Sequence, residues 1–181
     1  MLKNIPNKIT LLRIVLIPVF LVLAYMELRW CALFVFVAAS LTDLLDGYLA
    51  RRYHQITNAG KFMDPLADKM LVLSAMCFFV EKGQMPGWVL AIVLLREFAV
   101  SGLRMIAIEK NRVIAAAWSG KFKTTCTMVG LCFMLVFGRY NWINLFVIAV
   151  ILVTTIWSGA EYFIKNMDVF RDAEPKEEKE E

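Results

Sequence analysis

Four carboxylates, Asp43, Asp46, Asp64 and Asp68, stand in the segment TDLLDGYLARRYHQITNAGKFMDPLADKM, residues 42–70. On a helix, Asp43, Asp46 and Ala50 fall at i, i+3 and i+7, and Asp64 and Asp68 at i and i+4, so each set shares one face. Two helices can therefore aim two carboxylates each into one shared space. Such a group survives by protonation, by pairing with an arginine such as Arg13 or Arg96, or by binding a divalent cation. Hard oxygen ligands suit Mg²⁺, Mn²⁺ or Ca²⁺, and no His or Cys is placed for zinc. The lone His54, between the two Asp pairs, reads as a solvated or headgroup-contacting residue rather than a ligand. Four acids on two helices, beside Gly47 and Gly60, outnumber what pairing with neighbouring basic residues requires.

The elements that must carry these acids are apolar. Of 181 residues, 60% are hydrophobic, and the mean hydropathy is +0.62. A soluble domain is about 45–50% apolar, and the excess here would form aggregating patches in water. Uncharged runs cover Ile14–Met26, Trp30–Thr42, Met70–Val80, Gly83–Leu95, Thr124–Gly138 and Asn141–Ala160. A membrane span needs about 20 residues, so most of these runs must be completed by charged residues. The expected fold is an all-α integral membrane protein, a six-transmembrane-helix bundle with a polar cavity in its cytoplasmic half. Residues 1–167 form the six-span domain, and 168–181, with the charge-dense DAEPKEEKEE, form a disordered cytoplasmic tail.

Alternating six spans puts Arg29, Lys82 and Arg139 on one side and the other 17 of the 20 basic residues opposite. The positive-inside rule then makes both termini cytoplasmic, in a multi-pass protein of the cell membrane. Tyr25, Trp30, Trp88, Tyr140 and Trp142 gather near the outer boundary as an aromatic belt. The net charge of +4 reads as topology and attraction to membrane lipid, not nucleic-acid binding. The opening stretch MLKNIPNKITLLRIVLIPVFLVLA resembles a signal peptide in outline. Arg13 lies within that pattern, however, and the stretch reads as a retained first span. Cys31, Cys77, Cys126 and Cys132 fall in apolar runs and read as packing residues.

Counting inward from the outer boundary gives the charges a common depth. Asp43 lies 14 residues past Arg29, about 21 Å along a helix, and Asp68 lies 13 before Glu81, about 20 Å. Asp46 and Asp64 form a second level at about 25 Å. Arg13, counted from Glu27, and Arg96, counted from Gly83, again come to about 20 Å. Four helices bring charge to one level in the cytoplasmic half, where hydrophilic walls are tolerated if they face a cavity.

The pattern Asp43-x-x-Asp46-Gly47-x-x-Ala50-Arg51, eight residues, Gly60-x-x-x-Asp64-x-x-x-Asp68 resembles the signature of the CDP-alcohol phosphatidyltransferases at all eight fixed positions. The six-span architecture resembles that family over nearly the whole chain, apart from the tail. The resemblance implies a metal-dependent transfer in which an alcohol attacks the diacylglycerol-side phosphorus of CDP-diacylglycerol and CMP leaves. It implies that Asp43, Asp46 and Asp64 hold the metal centre, and that Asp68 is the catalytic base while also reaching a metal. It implies CDP contacts at Asp46, Gly47, Ala50, Arg51 and Gly60, and a homodimer. Mg²⁺ or Mn²⁺ is the expected metal, as a pair of ions that could stabilise both attacking and leaving oxygens. Gly47 and Gly60 fit close backbone approach by a ligand, although helix termination or tight helix packing explains Gly60 nearly as well.

Two further stretches bear on the alcohol. LLREFAVSGLRM places Arg96 and Arg104 eight residues apart on one side of the fourth helix, and AAAWSGKFKTT places Lys121 and Lys123 at the start of the fifth. With Thr10 and Arg13 they surround the carboxylates with the cations and hydroxyls a phosphate needs. Both stretches and NIPNKITLLRI resemble the branch of the family whose alcohol is glycerol 3-phosphate and whose product is phosphatidylglycerophosphate. Lys121 and Lys123 also fit ordinary positive-inside anchors, and Arg96 a structural partner of an Asp or of Glu97. Inositol phosphate or a headgroup alcohol would use the same Asp motif. A divalent-cation transporter would instead spread its acids along a path open to both sides. Here Glu27 and Glu81 are the only acids on the outer side.

Overall fold

A computed structural model describes residues 5–53, 58–109 and 117–167, with side chains described over 12–42, 69–108 and 117–167. Among the described residues six helices follow in order: α1 Ile5–Tyr25, α2 Arg29–Tyr53, α3 Asn58–Glu81, α4 Gly87–Glu109, α5 Trp118–Phe137 and α6 Asn141–Lys165. No strand occurs among the described residues. Each helix grows from one of the six apolar runs. The longest extension is in α4, which runs on past Leu95 to Glu109; α2 continues past Thr42 to Tyr53, and α3 begins at Asn58, well before Met70. The extensions of α2 and α3 carry the aspartates. At 20–25 residues, the helices are about 30–38 Å long at about 1.5 Å per residue, enough for a hydrocarbon core of about 30 Å. By length and apolarity together, α5 and α6 are suited to cross a membrane.

Three tight connections, 26–28, 82–86 and 138–140, lie at one end of the bundle. The second turns through Gly83, whose φ of +67° lies in the left-handed region open to glycine. Pro86 then directly precedes α4, so the helix starts at Gly87 rather than at Gly83, where the uncharged run begins. In the third connection the buried Asn144 donates from Nδ2 to the Gly138 carbonyl at 2.9 Å. At the same end the Tyr25 hydroxyl donates to Glu81, so the last residues of α1 and α3 stand level.

α1 packs on α2 and α3, α2 also on α3 and α5, α3 also on α4 and α5, and α6 on α4 and α5. The core is a set of stripes: Ile17, Phe20 and Ala24 from α1 meet Ala32, Phe36 and Ala39 from α2, with Leu71, Ala75 and Phe79 from α3. Small residues at 24, 32, 39 and 75 let the backbones approach. The outward faces are apolar as well, with Phe34, Leu95, Phe98, Met105, Leu145 and Ile164 all exposed. Cys31 and Cys77 are exposed too, rather than packed inside as their apolar runs suggest. The buried set meanwhile includes Arg13, Ser119, Lys123, Thr127, Asn144 and Ser158. Polar groups inside and large apolar side chains outside reverse the usual arrangement in water.

Candidate active site

The eight motif residues divide between two packed helices. α2 carries Asp43, Asp46, Gly47, Ala50 and Arg51, and α3 carries Gly60, Asp64 and Asp68. Their side chains, and that of Thr10 on α1, lie outside the described residues, as do His54 and the tail 168–181. Backbone level can still be read from neighbouring contacts. The Phe20 and Phe36 rings meet at 5.4 Å between centroids. Arg13 lies seven residues before Phe20 and Asp43 seven after Phe36 on the antiparallel helix, about 10 Å away in each case. Arg13 and Asp43 therefore sit at one level of the bundle, as the depth count expects. Arg13 continues the buried stripe of Ile17, Phe20 and Ala24, one turn earlier, and is itself fully buried.

The same agreement holds between α3 and α4. Lys69, next to Asp68, lies with Nζ 3.5 Å from Glu97 Oε2, next to Arg96. Glu97 is the centre of a charged cluster. Its Oε1 accepts from Lys123 Nζ at 2.8 Å and from Arg96 Nη1 at 2.9 Å. Lys69 Nζ also donates to Ser101 Oγ at 2.8 Å. Three helices, α3, α4 and α5, thus contribute to one knot of charge. Two glycines make room for Arg96: a Cβ at Gly159 would come within 3.3 Å of its Cγ, and one at Gly120 within 3.5 Å of its Nη2.

The expected cations separate into groups. Arg96 and Lys123 come together on Glu97. Arg104 faces α6 elsewhere, donating from Nε to the Tyr162 hydroxyl at 2.8 Å with its guanidinium 5.5 Å from that ring's centroid. Arg96 also faces α6, at Gly159, so the two arginines do share a side of α4. Lys121 is exposed. Two residues on a helix turn about 200°, which sends Lys121 and Lys123 to opposite sides of α5. The cluster includes three residues outside the expected site: Lys69, Glu97 as its hub, and Ser101. An ionisable residue inside an apolar helix marks a functional site by default, and Glu97 met that condition in LLREFAVS.

Among the described residues no three His, Cys, Asp or Glu side chains gather as a metal site. A groove of about 690 Å³ between α5 and α6 is lined by Val129, Phe133, Phe146 and Val150 among others, so it lacks the charge for phosphate chemistry.

Comparison with known proteins bears on this arrangement. The family model described as CDP-alcohol phosphatidyltransferase matches residues 3–157. The chain belongs to the CDP-alcohol phosphatidyltransferase family. It is similar to a CDP-diacylglycerol–glycerol-3-phosphate 3-phosphatidyltransferase of Bacillus subtilis, 37% identical across 93% of this chain and 97% of the relative. A protein of the same name from Escherichia coli K12 is 40% identical across 88% of this chain and 92% of its own. The matched region of this phosphatidyltransferase takes in α2 and α3 with all eight motif positions, and also the Glu97 cluster.

Proposed function

We propose that this phosphatidyltransferase is a phosphatidylglycerophosphate synthase, transferring the phosphatidyl group from CDP-diacylglycerol to glycerol 3-phosphate with release of CMP. The observation that carries the choice of alcohol is the full-length similarity to relatives named for that reaction, at 37% and 40% identity. The inward-turned cations Arg96 and Lys123 support it, because a phosphorylated alcohol needs such donors.

The protein works as a six-span bundle with both termini and the aspartates in the cytoplasmic half. Its apolar outer faces suit lipid, and its interior polar groups suit a cavity. The donor set of four aspartates on two packed helices fits a hard divalent ion, Mg²⁺ or Mn²⁺, held by Asp43, Asp46, Asp64 and Asp68. Two such ions, when bound, supply charge neutralisation for the pyrophosphate and for the attacking and leaving oxygens. The chain's own residues do the rest. Gly47, Ala50 and Gly60 leave room for the cytidine nucleotide, and Arg51 pairs with its charges. Asp68 takes the hydroxyl proton as the alcohol oxygen bonds to the diacylglycerol-side phosphorus and the bond to CMP breaks. The acyl chains stay in the bilayer while the soluble alcohol enters from the cytoplasm. The working unit is a homodimer.

An alcohol panel tests this reading. Purified protein with CDP-diacylglycerol and Mg²⁺ or Mn²⁺ should release CMP with glycerol 3-phosphate, and chelation should stop it. Release with inositol phosphate but not glycerol 3-phosphate would assign a sibling activity. No CMP with any alcohol from folded protein would refute the enzyme reading.

A further inference from the structure

Glu97 is an acid set among three cations, where an anion-binding site needs none. Its carboxylate stands among three cations whose side chains grade outward, Lys123 at 5% exposed, Arg96 at 12% and Lys69 at 36%. The Glu97 side chain is 18% exposed. Its two oxygens divide the work: Oε1 binds Lys123 and Arg96, and Oε2 faces Lys69. Ser101, one helical turn along α4, holds Lys69 a second time. Three like charges this close would spread apart without an anion among them. Arg96 lies in space left by Gly120 and Gly159, is held on Glu97 Oε1, and its buried Nε has no acceptor among the described residues. Each ammonium carries three N–H donors and the guanidinium five, so the bonds to Glu97 and Ser101 use only some of them.

The charges also add up. Lys69, Arg96 and Lys123 supply three positive charges and Glu97 one negative, leaving +2 for the cluster. A phosphomonoester near neutral pH carries about −1.5 to −2. We propose that Glu97 is a positioning residue that assembles Lys69, Arg96 and Lys123 into a preorganised array of net charge +2, and that this array receives the phosphomonoester of the attacking alcohol. The inference rests on the reading of the alcohol given above and adds to it Lys69, Ser101 and the ordering role of Glu97. The array lies beside the aspartate level, since Lys69 directly follows Asp68 on α3. An alcohol phosphate held there stands at the backbone level of Asp68 on α3.

Glu97→Gln keeps the shape and removes the charge. Steady-state kinetics in mixed micelles should show the KM for glycerol 3-phosphate rising tenfold or more, with the KM for CDP-diacylglycerol within twofold of wild type. Glu97→Asp should recover part of the loss. Inorganic phosphate, as a competitor of glycerol 3-phosphate, should weaken by a similar factor. A KM for glycerol 3-phosphate within twofold of wild type, or both KM values rising together, would overturn the proposal in favour of a network that only ties helices. Should Glu97→Gln not fold, Ser101→Ala releases Lys69 alone and should raise the same KM threefold or more; no rise overturns the proposal. Failure of the functional reading looks different, because wild type would then release no CMP with glycerol 3-phosphate. In that case titration of inorganic phosphate by calorimetry decides. Binding tenfold weaker in Glu97→Gln supports the array, and absent or unchanged binding overturns it.

Discussion

Lys123→Met separates the stability of the charged cluster from its use. Methionine matches much of the lysine's length and suits a side chain only 5% exposed. The substitution removes one charge-assisted hydrogen bond, at 2.8 Å to Glu97, worth about 1.5–3 kcal/mol. Part of that returns, because the ammonium no longer has to be kept from water. Glu97 is not stranded, since Arg96 stays on the same oxygen at 2.9 Å and Lys69 stands 3.5 Å from the other. The net loss should therefore fall at about 0–2 kcal/mol, below the roughly 3–5 kcal/mol expected when a buried charge loses its partner outright. Binding of the alcohol phosphate loses one of three cations. A charged hydrogen bond of about 1.5–3 kcal/mol, at about 1.4 kcal/mol per factor of ten, corresponds to roughly 10- to 150-fold in the KM for glycerol 3-phosphate. Thermal unfolding in detergent and CMP-release kinetics with each substrate varied in turn measure both. A well-folded variant with the KM for glycerol 3-phosphate within twofold of wild type would refute the assignment of Lys123 to the phosphate. A loss above about 4 kcal/mol, with both KM values raised alike, would refute the partition argued from the two remaining cations.

Lys121→Met should raise the KM for glycerol 3-phosphate far less than Lys123→Met in the same assay, because Lys121 is exposed on the other side of α5. Asp68→Asn should keep nucleotide binding better than Asp43→Asn while losing turnover; CDP binding by calorimetry alongside CMP release tells them apart, and equal losses of binding would remove the division of roles. Gly159→Leu should lower activity through Arg96, whose Cγ already lies 3.3 Å from the position of a Cβ. Gly130→Leu should act mainly on stability, by about 1–3 kcal/mol in thermal unfolding, because a Cβ there would meet Val147 at 2.7 Å where α5 packs on α6.

Much of the helical order was legible from where charges interrupt the apolar runs. Glycine and proline marked the turn before α4, and a count along the helix axes placed Arg13 with Asp43 and Asp68 with Arg96. Those counts worked because the three turns at one end of the bundle are short, so neighbouring helices share a common origin. The motif of eight fixed positions pointed to the family by its resemblance to that family's signature. Other features depend on which faces meet. Arg96 could have paired with any acid at its level, and only the packing of α3, α4 and α5 puts Lys69 and Lys123 on Glu97. Arg104 turns to Tyr162 because α4 lies against α6, a neighbour 58 residues away in sequence. The division of Lys121 from Lys123 was available from helical geometry, but which of the two faces inward depends on the position of α4.

The central claim is most directly tested by the product. Purified protein in micelles of CDP-diacylglycerol, given glycerol 3-phosphate and Mg²⁺ or Mn²⁺, should form phosphatidylglycerophosphate and CMP in equal amounts by mass spectrometry. Glycerol in place of glycerol 3-phosphate should give little of either. CMP formed without phosphatidylglycerophosphate, or equal turnover of glycerol and its phosphate, would contradict an active site built to hold a phosphorylated alcohol beside the four aspartates.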